Sequence, residues 1–123
     1  MTRHANRLNV IFALYQSLLL NKDLRLTFVE YSKEKQNDDF SDKLIEDLII
    51  NKQTYIEEIS KYLVNWHFER LSYVEQAILL EATSELKLGL NNKNVVIDEA
   101  ITIAKEYCDD ESYKFINGVL DNL

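Results

Sequence analysis

Apolar residues return every three or four positions along most of this chain, the spacing of one face of an α-helix. The clearest run is residues 95–123. Ile97, Ala100, Ile101, Ala104 and Cys108 fall on one face of a first helix. Asp109 and Asp110 interrupt it. Either is placed to N-cap a second helix, and Glu111 suits the positive end of that helix's dipole. The second helix carries Phe115, Ile116, Val119, Leu120 and Leu123 as its stripe. Gly118 lies inside it, where glycine costs about 1 kcal/mol relative to alanine. That cost predicts a close backbone approach to another helix.

The same period organises the rest. Residues 3–20 read as a helix with Thr2 as N-cap and Leu8, Ile11, Phe12, Tyr15, Leu18 and Leu19 towards the core. Asn21, Lys22 and Asp23 end it. Residues 24–36 form a weaker helix and residues 33–39 a polar loop, with Asp39 or Ser41 capping the next helix. Leu44, Ile45, Leu48, Ile49, Tyr55, Ile56, Ile59, Tyr62 and Leu63 then predict one long helix, or two joined near Asn51. Residues 66–71 read as a short helix or tight connection, with Trp66 as a core anchor and base stacking as the lesser alternative. Ser72 and Glu75 have the spacing of a capping box. The helix they open runs to Leu88, with Val74, Ala77, Ile78, Ala82 and Leu86 as its buried stripe, and Gly89 fits the left-handed position that stops it. Asn91, Asn92 and Asn94 form the next loop. The expectation is an all-α fold in a single domain, residues 1–123, without repeats or linkers.

Composition narrows this further. A chain of 123 residues can bury a real core. It has no proline and two glycines, which disfavours turn-rich β architectures. No apolar run is long enough to span a membrane, and no signal-peptide pattern opens the chain, so a soluble cytoplasmic protein is the default reading. Cys108 is the lone cysteine and lies on an apolar helix side, which predicts an inert thiol. The histidines, His4 and His67, have no partner at metal-ligand spacing. No nucleophile elbow, phosphate loop or dinucleotide fingerprint occurs. An enzyme is not expected, and no cofactor or metal is implied.

The net charge of −7 disfavours nucleic-acid binding when taken globally, but the acid is unevenly spread. Residues 1–21 contain no acidic side chain and carry Arg3, His4 and Arg7 on one side of the first two helical turns. That set reads as a solvated face or as a small phosphate-binding face, too small to bind strongly alone.

The wording of three segments adds a resemblance. A-L-Y-Q at residues 13–16, L-S-Y-V-E-Q-A-I-L-L-E-A-T-S-E-L at residues 71–86, and the run I-D-E-A followed after a short acidic break by S-Y-K-F-I-N-G-V-L-D resemble the NusB family. The resemblance implies a compact bundle of about six or seven helices. It also implies a non-enzymatic factor of transcription antitermination and ribosomal-RNA maturation. Such a factor binds boxA-type RNA together with a NusE-like small-subunit ribosomal protein, within an RNA polymerase antitermination complex. Carried over by position, Arg3, His4 and Arg7 are RNA-face candidates, and Glu111, Ser112, Lys114 and Phe115 a second set. Phe115 is equally placed for core packing. Glu75 matches a position near the protein-partner surface. Leu80 or Glu81 stands where the family has arginine, and Asn92 near a common proline. Two other readings are a protein-interaction module of the same fold with little RNA affinity, and a relative of the NusB-like domain that precedes some ribosomal-RNA cytosine methyltransferases. The latter lacks a cofactor-binding segment within these 123 residues.

Overall fold

The computed structural model describes residues 2–32 and 38–123. Among them are six α-helices, one 3-10 turn and no strand. The helices are α1 (Arg3–Leu20), α2 (Leu24–Tyr31), α3 (Asp39–Ser60), α4 (Tyr73–Leu88), α5 (Lys93–Tyr107) and α6 (Ser112–Asp121), and the 3-10 turn is Phe68–Arg70. The polar loop expected over residues 33–39, and the end of the helix expected to reach residue 36, lie largely outside the described residues.

Local chemistry explains most boundaries. The Thr2 hydroxyl accepts from the Ala5 N–H, Asp23 from Leu26 and Asp38 from Ser41. Asp38, rather than Asp39 or Ser41, therefore caps α3, and the Ser41 hydroxyl donates back to the same carboxylate at 2.8 Å. At α4 both halves of the capping box form. Asn21 and Gly89 take left-handed backbone at φ 51° and 65°, which closes α1 and α4. Neither Asp109 nor Asp110 caps α6. Its start is a backbone turn in which the Asp109 carbonyl accepts from the Ser112 N–H at 2.9 Å. The long apolar segment after Asp38 is one helix of 22 residues.

The centre of the molecule is α4. It packs against α1, α3, α5 and α6, and every residue from Gln76 to Glu85 is buried. A helix surrounded on all sides has no solvent face, so its polar residues depend on partners inside. Thr83 donates to the Leu79 carbonyl at 2.7 Å, and Ser84 to Asp47 Oδ2 at 2.6 Å. Asp47 also accepts from the Tyr55 hydroxyl at 2.7 Å. The Ser84–Asp47 bond ties α3 to α4.

Several expected core positions move. On α1 Val10, Ala13, Leu14 and Ser17 are buried beside the expected Ile11, Leu8, Phe12 and Tyr15 are partly buried against the same core, and Leu19 is exposed. Ile49 and Tyr62 are exposed as well. Trp66 is 54% exposed, because Leu63 and Phe68 on either side of it occupy the interior. Its ring stacks instead on Phe115, with centroids 6.2 Å apart and planes at 22°. Gly118 is exposed, and a methyl group added there would meet nothing within 4 Å. The close helix approach expected at this glycine is absent.

Candidate nucleic-acid interface

The first turns of α1 divide the N-terminal cations by depth. Arg3 is exposed, its guanidinium 4.1 Å from the centre of the Phe40 ring at the start of α3. His4 is partly exposed and donates from Nδ1 to Glu99 Oε2 on α5 at 3.0 Å. Arg7 is not on the surface. Its side chain is 3% exposed and grips Glu85 of α4 with two hydrogen bonds, 2.7 Å from Nε and 3.0 Å from Nη2. The exposed face expected of all three residues is corrected for Arg7. One helical turn separates it from Arg3, enough to carry it beneath the surface, where the Glu85 carboxylate holds it.

Around Arg7 lies a buried acidic cluster. Burial disfavours the guanidinium charge, yet Glu85, with Glu81 and Glu99, raises its pKa above the ordinary value. Glu81 is pushed well above the usual carboxylate range, first by complete desolvation and then by Glu85 beside it. Glu85 is held below that range: burial opposes this, and hydrogen bonds from Glu81 and Arg7 overcome it. The physical picture is a protonated Glu81 donating to an ionised Glu85 that is also clamped by Arg7. Asn91 adds a further bond to Glu85 at 3.0 Å. Leu80 and Glu81 both lie inside the protein, so neither position presents a side chain at the surface.

The second set surrounds the start of α6. Ser112 is buried and donates its hydroxyl to Glu75 Oε2 at 2.5 Å, while Glu75 Oε1 accepts from the Ser72 N–H. Glu75 is thus half-buried and joins the cap of α4 to α6. Glu111 and Lys114 are exposed and paired at 3.0 Å, an interaction of small energy at the surface. Phe115 is half-buried against Trp66 and the core edge. Cys108 sits nearby at the end of α5. Burial, with Glu75 and Asp109, pushes its thiol up to about 11, consistent with an unreactive side chain.

Structure brings Glu75 and Ser112 into contact and gathers Arg3, His4 and Arg7, but it does not merge the two sets. The first lies near Glu85 and the second near Glu75. The ten residues between these along α4 amount to about 15 Å. Two participants were missed by pattern reading. Phe40 supports Arg3, and Lys43 lines the same cleft of about 520 Å³ with Asn6 and Leu90. Nothing in their spacing links them to the N-terminus, since α3 is brought there only by folding. Among the described residues no group of three or more His, Cys, Asp or Glu side chains is placed to hold a metal.

The site is thus a helical domain built on a central buried helix, with exposed cations at two separated helix starts. A sequence model of the NusB family matches residues 4–123. The transcription antitermination protein NusB of Sulfurimonas denitrificans is 40% identical over 124 residues, covering 98% of this chain and 94% of its own. A NusB structure from T. maritima superposes with a TM-score of 0.90 at 35% identity, covering 99% of this chain and 89% of that one. A structure of antitermination factors NusB and NusE in complex with dsRNA superposes at 0.84 with 27% identity, covering 99% and 96%. The chain belongs to the NusB family of transcription antitermination proteins.

Proposed function

We propose that this protein binds boxA-type RNA jointly with a NusE-like small-subunit ribosomal protein, and so enters the RNA polymerase antitermination complex in the cytoplasm. The observation that carries the reading is the pair of exposed cations, Arg3 and Lys114, near opposite ends of α4, in a fold that superposes on one chain of a structure of NusB and NusE with dsRNA. A strand of several nucleotides spans that separation, whereas neither cation alone neutralises more than one phosphate. With a chain charge of −7, most of the attraction for RNA falls to the partner.

The other residues take supporting roles in this reading. Arg7 fixes α1 on α4 and so sets the direction of Arg3 and His4. Ser112 and Glu75 fix the start of α6 and so set Lys114 and Phe115. Glu111 tempers Lys114 through their ion pair. The competing reading, a protein-interaction module with little RNA affinity, gains support from the withdrawal of Arg7 from the surface. RNA titration of the protein, alone and with the ribosomal protein, separates them. Joint binding that exceeds the affinity of either component supports RNA recognition. A complex no tighter for RNA than the ribosomal protein alone supports the interaction module.

A further inference from the structure

A shallow apolar hollow, about 240 Å³, opens beside the start of α6. Tyr62, Val64, Trp66, Phe115 and Gly118 line it. Two features set it apart. Trp66 leaves more than half its surface in water, although tryptophan burial is among the larger apolar contributions a domain can make. Gly118 weakens α6 relative to alanine, yet no neighbour needs the space where its side chain would be. What the missing side chain does leave is room beside Phe115, three residues earlier on the helix.

We propose that this hollow receives one unpaired RNA base, stacked on the Trp66 ring and admitted by the absence of a side chain at Gly118. The inference rests on the RNA reading above. The rings of Trp66 and Phe115 are nearly parallel, so a base laid on the indole continues an existing stack. Aromatic platforms of this kind accept any base, because every base has a π-face. The charge around the hollow suits RNA better than most of this acidic chain does. The connection over residues 61–70 carries Lys61, His67 and Arg70 against one acid, Glu69. Lys61 and Arg70 have no carboxylate partner among the described ion pairs. Lys114 precedes Phe115 on the same turn. The hollow is smaller than the clefts of roughly 300–1,000 Å³ that take whole drug-sized ligands, which limits it to a single ring system.

Trp66 is the one tryptophan of the chain, so its fluorescence reports on the hollow directly. The experiment titrates the protein, complexed with a tryptophan-free NusE-like protein, with single-stranded boxA-type RNA and with the same RNA fully annealed to its complement. The expected result is saturable quenching by the single strand and little by the duplex. Gly118→Leu fills the hollow from a site that has room for it. It should weaken single-strand binding roughly ten-fold, the scale of one stacked base, and abolish the quench while far-ultraviolet circular dichroism stays unchanged. RNA binding with unchanged fluorescence, or unaltered affinity in Gly118→Leu, overturns the proposal. A fluorescence change caused by the ribosomal protein alone, with Gly118→Leu weakening that association instead, overturns it in favour of a protein contact. Loss of RNA binding in Arg3→Ala with Lys114→Ala, alongside any of these failures, shows that the functional reading survives without the hollow. No RNA binding by the wild-type complex overturns both.

Discussion

Arg7 and Glu85 face each other inside the protein through two hydrogen bonds, 2.7 and 3.0 Å long, across 78 positions of sequence. The pair locks the first helix to the central one. Cutting one side strands the other charge in a dry interior, and that cost exceeds the net worth of the pair. Arg7→Ala is expected to lower unfolding free energy by about 3–5 kcal/mol, read as a lower urea midpoint with unchanged slope. A loss below about 1 kcal/mol would mean that water reaches Glu85.

The neighbouring carboxyl makes stability depend on pH. Glu81 has a folded pKa raised well above its ordinary value of 4.5. Its contribution is therefore complete below that ordinary value and is lost as pH rises towards the folded pKa, because the unfolded chain ionises first. Glu81→Gln keeps a donor for Glu85 but cannot ionise. It should be more stable than wild type at neutral pH, with a gap that narrows as the solution is acidified towards 4.5. Urea titrations across this range measure it, and a constant gap would refute an uncharged Glu81.

Glu75 links two elements, so its substitution should not act on a partner surface alone. Glu75→Lys removes the acceptor for Ser72 and for Ser112 and places a cation at a helix N-terminus, where the dipole disfavours it. A loss of about 1–2 kcal/mol is expected, with faster amide hydrogen exchange in α6. Exchange confined to α4 would show that the Ser112 bond contributes little.

Sequence logic reached the helices through their ends. Thr2, the Ser72–Glu75 box, Asn21 and Gly89 act within a few residues of where they stand, so their chemistry is visible in one dimension. The burial of Arg7 was not visible, because its partner lies far along the chain and two arginines on an apparent polar face look solvated. The same limit applies to α4. A stripe of Val74, Ala77, Ile78, Ala82 and Leu86 describes one face, while the burial of Glu81 and Ser84 depends on Arg7 and Asp47 from other helices. Trp66 failed differently. Its size predicted the interior, but Leu63 and Phe68 had already filled it. Of the candidate set, Arg3 and Lys114 emerged exposed, and Arg7 and Ser112 became supports.

Gly118 reverses in sign once its surroundings are known. With nothing within 4 Å of an added methyl group, Gly118→Ala should raise stability by up to about 1 kcal/mol through helix propensity. Thermal unfolding followed by circular dichroism is sufficient. A destabilised alanine variant would reveal a contact that the fold does not show.

RNA is proposed to cross the molecule between Arg3 and Lys114, with the ribosomal protein beside it. Arg7 is left intact in its test, since its loss would unsettle the fold. The measurement is RNA titration of the complex at several salt concentrations, for wild type and for Arg3→Ala combined with Lys114→Ala. The variant should bind more weakly, with a log–log salt slope shallower by about 0.7 for each single-strand phosphate that the protein no longer neutralises, while its affinity for the ribosomal protein is unchanged. Equal RNA affinity with an equal salt slope would contradict the claim and leave the protein-interaction module as the better description.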